Sequence, residues 1–310
     1  MSDQATGVED ATENTQSSGF FGALKDGLFT PLKQFPAALY PTLMIGVLFM
    51  IPFVIMFLIS FWNWDQAAAI FTPAFELTHY ARFFSPLFTT HLWVSVQFAA
   101  LASALSLMVA VPFTFFISRF RRKPQVLSLI FILCVLTLSE VIIAYSLSIV
   151  MSRSGGLPNV AEWLGLVERA RSWYPSYFAN LFGLSFFNIP FAVLILYPSS
   201  TRLDRELTEA AQTMGATPVR TFFTIVIPLL ERTIMAAFIL LFVFTMGAFV
   251  TPYWLARPED TMMAQLIADQ ALSRGNIPFA AALSVFFMAV TLVLSLLTVW
   301  LRRSDKLGDA

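Results

Sequence analysis

Very few residues in this sequence could do chemistry inside an apolar environment. The long apolar runs contain a single charged side chain, Glu140, in TLSEVIIAYS at 137–146. A carboxylate ionised at the middle of a bilayer costs about 2.5–3.5 kcal/mol, so it must face a bundle interior or a wet cavity. Two uses fit it. Glu140 either lines a translocation path, where it attracts a cationic solute, or accepts hydrogen bonds from Ser139, Tyr145 or a residue of another span. Asn188, beside Pro190, is a second polar candidate for such a path, and repair of backbone bonding at a kink explains it equally. No second catalytic group stands near Glu140 in a recognisable arrangement, which argues against an intramembrane enzyme. No GxxxxGK[ST] phosphate loop occurs. The one cysteine, Cys134, lies in an apolar run, so neither a disulfide framework nor a metal cluster is available. No catalytic residue, metal ligand or cofactor is therefore expected.

The elements that must position Glu140 are membrane spans. The chain is 57% hydrophobic and 12% charged, with 33 Phe, whereas a water-soluble domain carries about 25% charged residues. Crossing roughly 30 Å of hydrocarbon takes about 20 apolar residues in a helix. Six stretches meet that length, near Pro41 to Trp62, Trp93 to Ile117, Val126 to Met151, Tyr177 to Leu196, Thr233 to Trp254 and Ile277 to Leu301. The expected fold is therefore all-α and polytopic, with six transmembrane helices. With both termini on one side, that side holds thirteen Lys and Arg and the other six, which puts both termini in the cytoplasm. The RFRRK turn at 119–123 strengthens the assignment. A zero net charge argues against a nucleic-acid partner. Residues 1–19 are acidic, polar and small, the composition of a disordered tail, and the cytoplasmic tail is placed at 1–37. The membrane domain runs over 38–303, with a short C-terminal tail at 304–310. No basic start with a short apolar core marks a cleaved leader.

Between the fourth and fifth spans, residues 200–231, the pattern turns one-sided. Leu203, Leu207, Ala210, Ala211 and Met214 recur at helical spacing, with Arg202, Arg205, Glu206 and Glu209 on other faces, which predicts a short amphipathic helix. Gly215 can stop it in a left-handed conformation. Thr217 and Pro218 then read as the cap and first turn of a second helix, and Pro228 marks where span five begins. The paired alanines offer a smooth surface for close approach by another protein. An amphipathic helix lying on the bilayer has the same pattern.

The spacing Glu209-Ala210-Ala211, Gly215, Ile225, Ile227-Pro228 resembles the EAA loop of the permease subunits of ATP-binding-cassette importers. LPNVAEWLGL after span three, GAFVTPYWL at 247–255 and NIPFAAALS at 276–284 resemble the spermidine/putrescine branch. The likeness covers roughly residues 38–303 and departs at Leu255-Ala256-Arg257-Pro258, where that branch commonly has a Leu-Gly-Gly turn. It implies a type I importer permease fold in the bacterial inner membrane. It also implies a coupling helix seated on a cytoplasmic ATPase dimer, which binds and hydrolyses the ATP. The further partners it implies are a second permease, a different chain in preference to a second copy, and a periplasmic solute-binding protein. The coupling residues so implied are Leu207, Glu209, Ala210, Ala211, Met214, Gly215 and Pro228, and the solute is a polyamine or a related cationic or amino-acid-derived compound. The competing function is a secondary transporter or channel without an ATPase, which would predict an internal repeat and more charged or broken helices near the midplane.

Overall fold

A computed structural model describes residues 43–65, 70–75, 77–83, 85–154 and 156–305. The tail at 1–37 and residues 306–310 lie outside them. The first helix, α1 (Leu43–Ile59), belongs to an N-terminal unit that ends at Leu58. The remaining elements form the second unit. It opens with an antiparallel hairpin, β1 (Asn63–Asp65) on β2 (Ile70–Thr72), with Trp64 opposite Phe71. This hairpin is the one departure from an all-helical chain among the described residues.

The helix at the centre of the second unit is α3 (Pro86–Arg119), which follows the short α2 (Thr78–Phe83). It packs along α7 (Tyr177–Thr201) and α10 (Ile227–Met246). Its sequence explains why. Ala99, Ala102, Ser103, Ser106 and Ala110 make a small-residue stripe that is fully buried, and small residues let helix backbones approach where lipid removes any hydrophobic drive between them. Ser106 Oγ donates across the seam to the Ser185 carbonyl at 3.0 Å. At the other end of α3, Ser95 Oγ accepts from the Met263 amide at 2.7 Å, which fixes α12 (Met263–Ala268) against it. Beyond α12, the long α13 (Ile277–Asp305) closes an apolar cluster with Phe83, Phe88, Met246, Phe279 and Leu283.

Among the described residues, four helical stretches are long and apolar enough to cross a membrane: Phe88–Arg119, Tyr177–Thr201, Pro218–Met246 and Ile277–Thr298. Two expectations change here. Span three is not one helix but two, α4 (Arg122–Thr137) and α5 (Glu140–Met151), bent by 93°. The chain is extended at Leu138 and Ser139, and the short α6 (Leu157–Trp163) follows α5. Thr137 turns its hydroxyl onto the Cys134 carbonyl at 2.7 Å, and Glu140 opens the new helix, where an acid complements the N-terminal dipole. Span five starts earlier and ends sooner than Thr233 to Trp254. Helix runs from Pro218 through Pro228 to Met246, and Val250–Leu255 forms a separate helix, α11. A π turn at Phe222–Val226 ends two residues before Pro228. Such a wide turn shifts the bonding register, so the helix continues despite the donor that proline lacks.

Candidate coupling loop and membrane cavity

The loop between α7 and α10 holds α8 (Arg205–Thr213) and α9 (Pro218–Thr221). Gly215 takes φ +90°. The Ala216 amide bonds to the Ala211 carbonyl and the Gly215 amide to the Gln212 carbonyl, both at 3.0 Å. This paired exit satisfies the carbonyls that a helix end orphans. Thr217 then caps α9, its hydroxyl accepting from the Arg220 amide at 3.3 Å. Because α9 continues through the π turn into α10, the expected separate second helix is the first turn of the long one. Phe222 meets Phe115 of α3 with ring centres 5.6 Å apart, and Thr233 Oγ1 donates to Ser199 Oγ of α7 at 2.9 Å. The segment from the π turn into α10 is thus tied to both α3 and α7.

The residues of the predicted apolar face do not share one environment. Ala211 is buried, with Thr208 beside it. Leu207, Ala210 and Met214 are exposed, Met214 at 83%. A side chain seated against the protein therefore holds α8, and the stripe one step around it is open. Glu209 is exposed on the rim of a groove that it shares with Arg119, Arg205 and Gln212. Pro228 is exposed at the start of α10.

Glu140 is half-buried at the first position of α5. Its Oε1 accepts from the Thr251 amide at 3.1 Å and from Thr251 Oγ1 at 2.8 Å. Thr251 lies in the first turn of α11, so the carboxylate satisfies an amide that a helix start leaves without an internal partner. The partner is on another helix, not Ser139 or Tyr145. Gly183 of α7 makes room for this arrangement, since a Cβ there would run into the Leu255 and Thr251 side chains. Glu140 and Asn188 line one cavity of about 190 Å³, with Phe187, Phe244, Thr245 and Phe249. Asn188 is buried and donates from Nδ2 to Thr245 Oγ1 at 2.7 Å. The structure brings Glu140 and Asn188 together and leaves Tyr145 out: it is exposed, edge-on to Trp254 at 5.1 Å. Thr251 and Thr245 escaped sequence reasoning because nothing in the spacing links residues more than a hundred positions away from Glu140. Ser139 followed by an acid was a readable helix start inside the apolar run. Among the described residues, no group of three potential metal ligands occurs.

This chain is similar to known proteins over most of its length. The spermidine/putrescine transport system permease protein PotB of Salmonella typhimurium is 30% identical over 248 residues, 80% of this chain and 85% of its own. PotB of Escherichia coli K12 is 30% identical over 78% of this chain and 87% of its own. A bacterial ABC transporter involved in the import of the acidic polysaccharide alginate superimposes with a TM-score of 0.65 at 19% identity, covering 92% of this chain and 98% of that one. The match at 19% identity speaks to fold alone. Residues 102–304 match the family described as binding-protein-dependent transport system inner membrane component, and with well over half of its length in that match the chain belongs to this family of multi-pass inner-membrane proteins.

Proposed function

We propose that the chain is the permease subunit of an ATP-driven importer, that it forms half of a six-plus-six-span pathway with a second permease, and that its solute is a small cation of the polyamine type. The span count takes α1 and the bent pair α4 and α5 as one span each. The observation that carries the proposal is the seating of α8: Ala211 anchors it while Leu207, Ala210 and Met214 remain open. A helix held by its own chain, with a small residue at the centre of its open stripe, is built to be pressed on by another protein. The direct path from α9 through the π turn into α10 gives that push a rigid route into the membrane. Glu140 supports the cationic solute, because Oε2 has no hydrogen-bond partner among the described residues and the cavity also presents Asn188 and Thr245. The polyamine assignment also draws on the PotB relatives. At the far end of α5, an open cleft lined by Arg153, Ser154, Asn159 and Tyr174 suits contact with a separate solute-binding protein. ATP is bound and hydrolysed by the partner. The test is co-purification from membranes with the chain tagged: an ATPase subunit should accompany the wild type and be lost from Ala210→Glu. A chain that transports on its own, with no ATPase attached and no response to that change, would be a secondary transporter or channel.

A further inference from the structure

A groove of about 870 Å³ lies between the cytoplasmic half of α3 and the start of α10, roofed by α8. Its walls are apolar, with Met108, Val111 and Phe115 on one side and Phe222 and Ile227 on the other. Arg119 lines it too. The guanidinium lies 5.1 Å over the Phe115 ring, yet its buried Nε and Nη2 have no hydrogen-bond partner among the described residues. Buried donors on a cation are costly to leave unmade, so they point to a ligand with anionic oxygens. Arg205 lines the same groove, and Glu209 offsets one of the two charges. The exposed Arg121, Arg122 and Lys123 follow immediately in the chain.

We propose that this groove binds an anionic phospholipid of the cytoplasmic leaflet, with its phosphate on Arg119 and an acyl chain along α3. The length fits: Met108 to Arg119 is eleven residues, about 16 Å of helix and close to half of a roughly 30 Å hydrocarbon core. A soluble ATPase does not reach Met108 or Val111, which lie two to three turns up a membrane span. Basic pockets between spans on the cytoplasmic side are where anionic headgroups bind. The site lies on the inner side of α8, opposite the open Leu207, Ala210 and Met214 stripe, so lipid and ATPase do not compete for one face. The inference rests on the cytoplasmic placement of the loop and not on the identity of the solute.

The test uses the whole assembly, purified and placed in nanodiscs of phosphatidylcholine with a minor share of phosphatidylglycerol. Native mass spectrometry then counts the lipid retained. Wild-type protein should keep phosphatidylglycerol in preference to phosphatidylcholine. Arg119→Gln should retain about tenfold less, the loss of one charge-assisted contact, while Arg119→Lys keeps most of it and Lys123→Gln changes nothing. Excess inorganic phosphate, which has the charge without the chain, should not displace it. A photoreactive side chain at Met108 in otherwise unaltered protein should become attached to lipid. Equal retention by Arg119→Gln, or attachment of Met108 to a partner subunit, overturns the proposal. ATPase co-purification and solute uptake, measured on the same preparations, report separately on the transport reading.

Discussion

At the scale of single residues, Glu140 meets a structural duty with one carboxylate oxygen and leaves the other for the proposed transport duty. Oε1 caps the start of α11 through Thr251, and the cavity beside it holds Asn188. A glutamine keeps an oxygen that can accept from Thr251 but carries no charge. Glu140→Gln should therefore leave membrane assembly and thermal stability within about 1 kcal/mol of wild type and raise the KM for a cationic solute by about tenfold. Glu140→Ala removes the acceptor as well and should cost about 1–3 kcal/mol, because the Thr251 hydroxyl and amide are left unmade in a buried site. Melting of the detergent-solubilised protein, set beside uptake of labelled solute, distinguishes the two. Unchanged uptake by a folded Glu140→Gln would remove this residue from the path. Gly183 gives a second check on the same contact. Gly183→Val pushes its branches into Leu255 and Thr251, and overpacking of that kind costs about 1–3 kcal/mol, so it should mimic Glu140→Ala in stability without touching the carboxylate.

The α8 element places its two alanines in different surroundings, and the pair should respond differently to the same substitution. Ala211 is buried and Ala210 is open. Ala211→Leu should unseat the helix and lower stability by about 1–3 kcal/mol, whereas Ala210→Leu should leave stability unchanged while reducing ATPase co-purification. Gly215 has open space where a Cβ would be but a φ of +90°, so Gly215→Ala should cost about 1–2 kcal/mol through backbone strain alone. Much of this element was legible in the sequence: its helical period, its glycine stop, its Thr-Pro restart. Which alanine faces inward was not, because burial depends on where α3 and α10 stand, and a period of 3.6 gives a face without its partner. The continuous helix through Pro228 was hidden for a different reason. A proline reads as a boundary, and the π turn that absorbs it follows from no local propensity. In the bent pair α4 and α5, an unbroken apolar run masked a break made by two hydroxyl residues and an acid. The Glu140 cavity was half legible, since a lone carboxylate in an apolar run demands a polar neighbour but does not say on which helix it sits.

Over the whole molecule, the bend in α4 and α5 decides which side of the membrane every later element occupies. If the pair crosses, the loop holding α8 shares the cytoplasmic side with the RFRRK turn at 119–123. If it re-enters and returns, that loop lies outside, away from any ATPase. The lengths favour crossing. Helices of 16 and 12 residues are about 24 and 18 Å long. At the observed bend of 93° their far ends stand about 30 Å apart, one hydrocarbon thickness, so two tilted legs span what neither spans alone. The charges agree: Arg121, Arg122 and Lys123 lie at the start of the pair and only Arg153 immediately beyond its end, the asymmetry expected of a cytoplasmic start and an external finish. The chain has a single, exposed cysteine, Cys134, so replacing it with serine gives a background for site-specific labelling. In intact spheroplasts a membrane-impermeant maleimide should modify Ser154→Cys, and it should reach Lys123→Cys only after the membrane is opened. Both positions are exposed in the protein itself, so burial cannot explain a difference between them. Labelling of both from the same side would make the pair a re-entrant loop, move α8 outside and remove the physical basis for ATP-driven coupling through it.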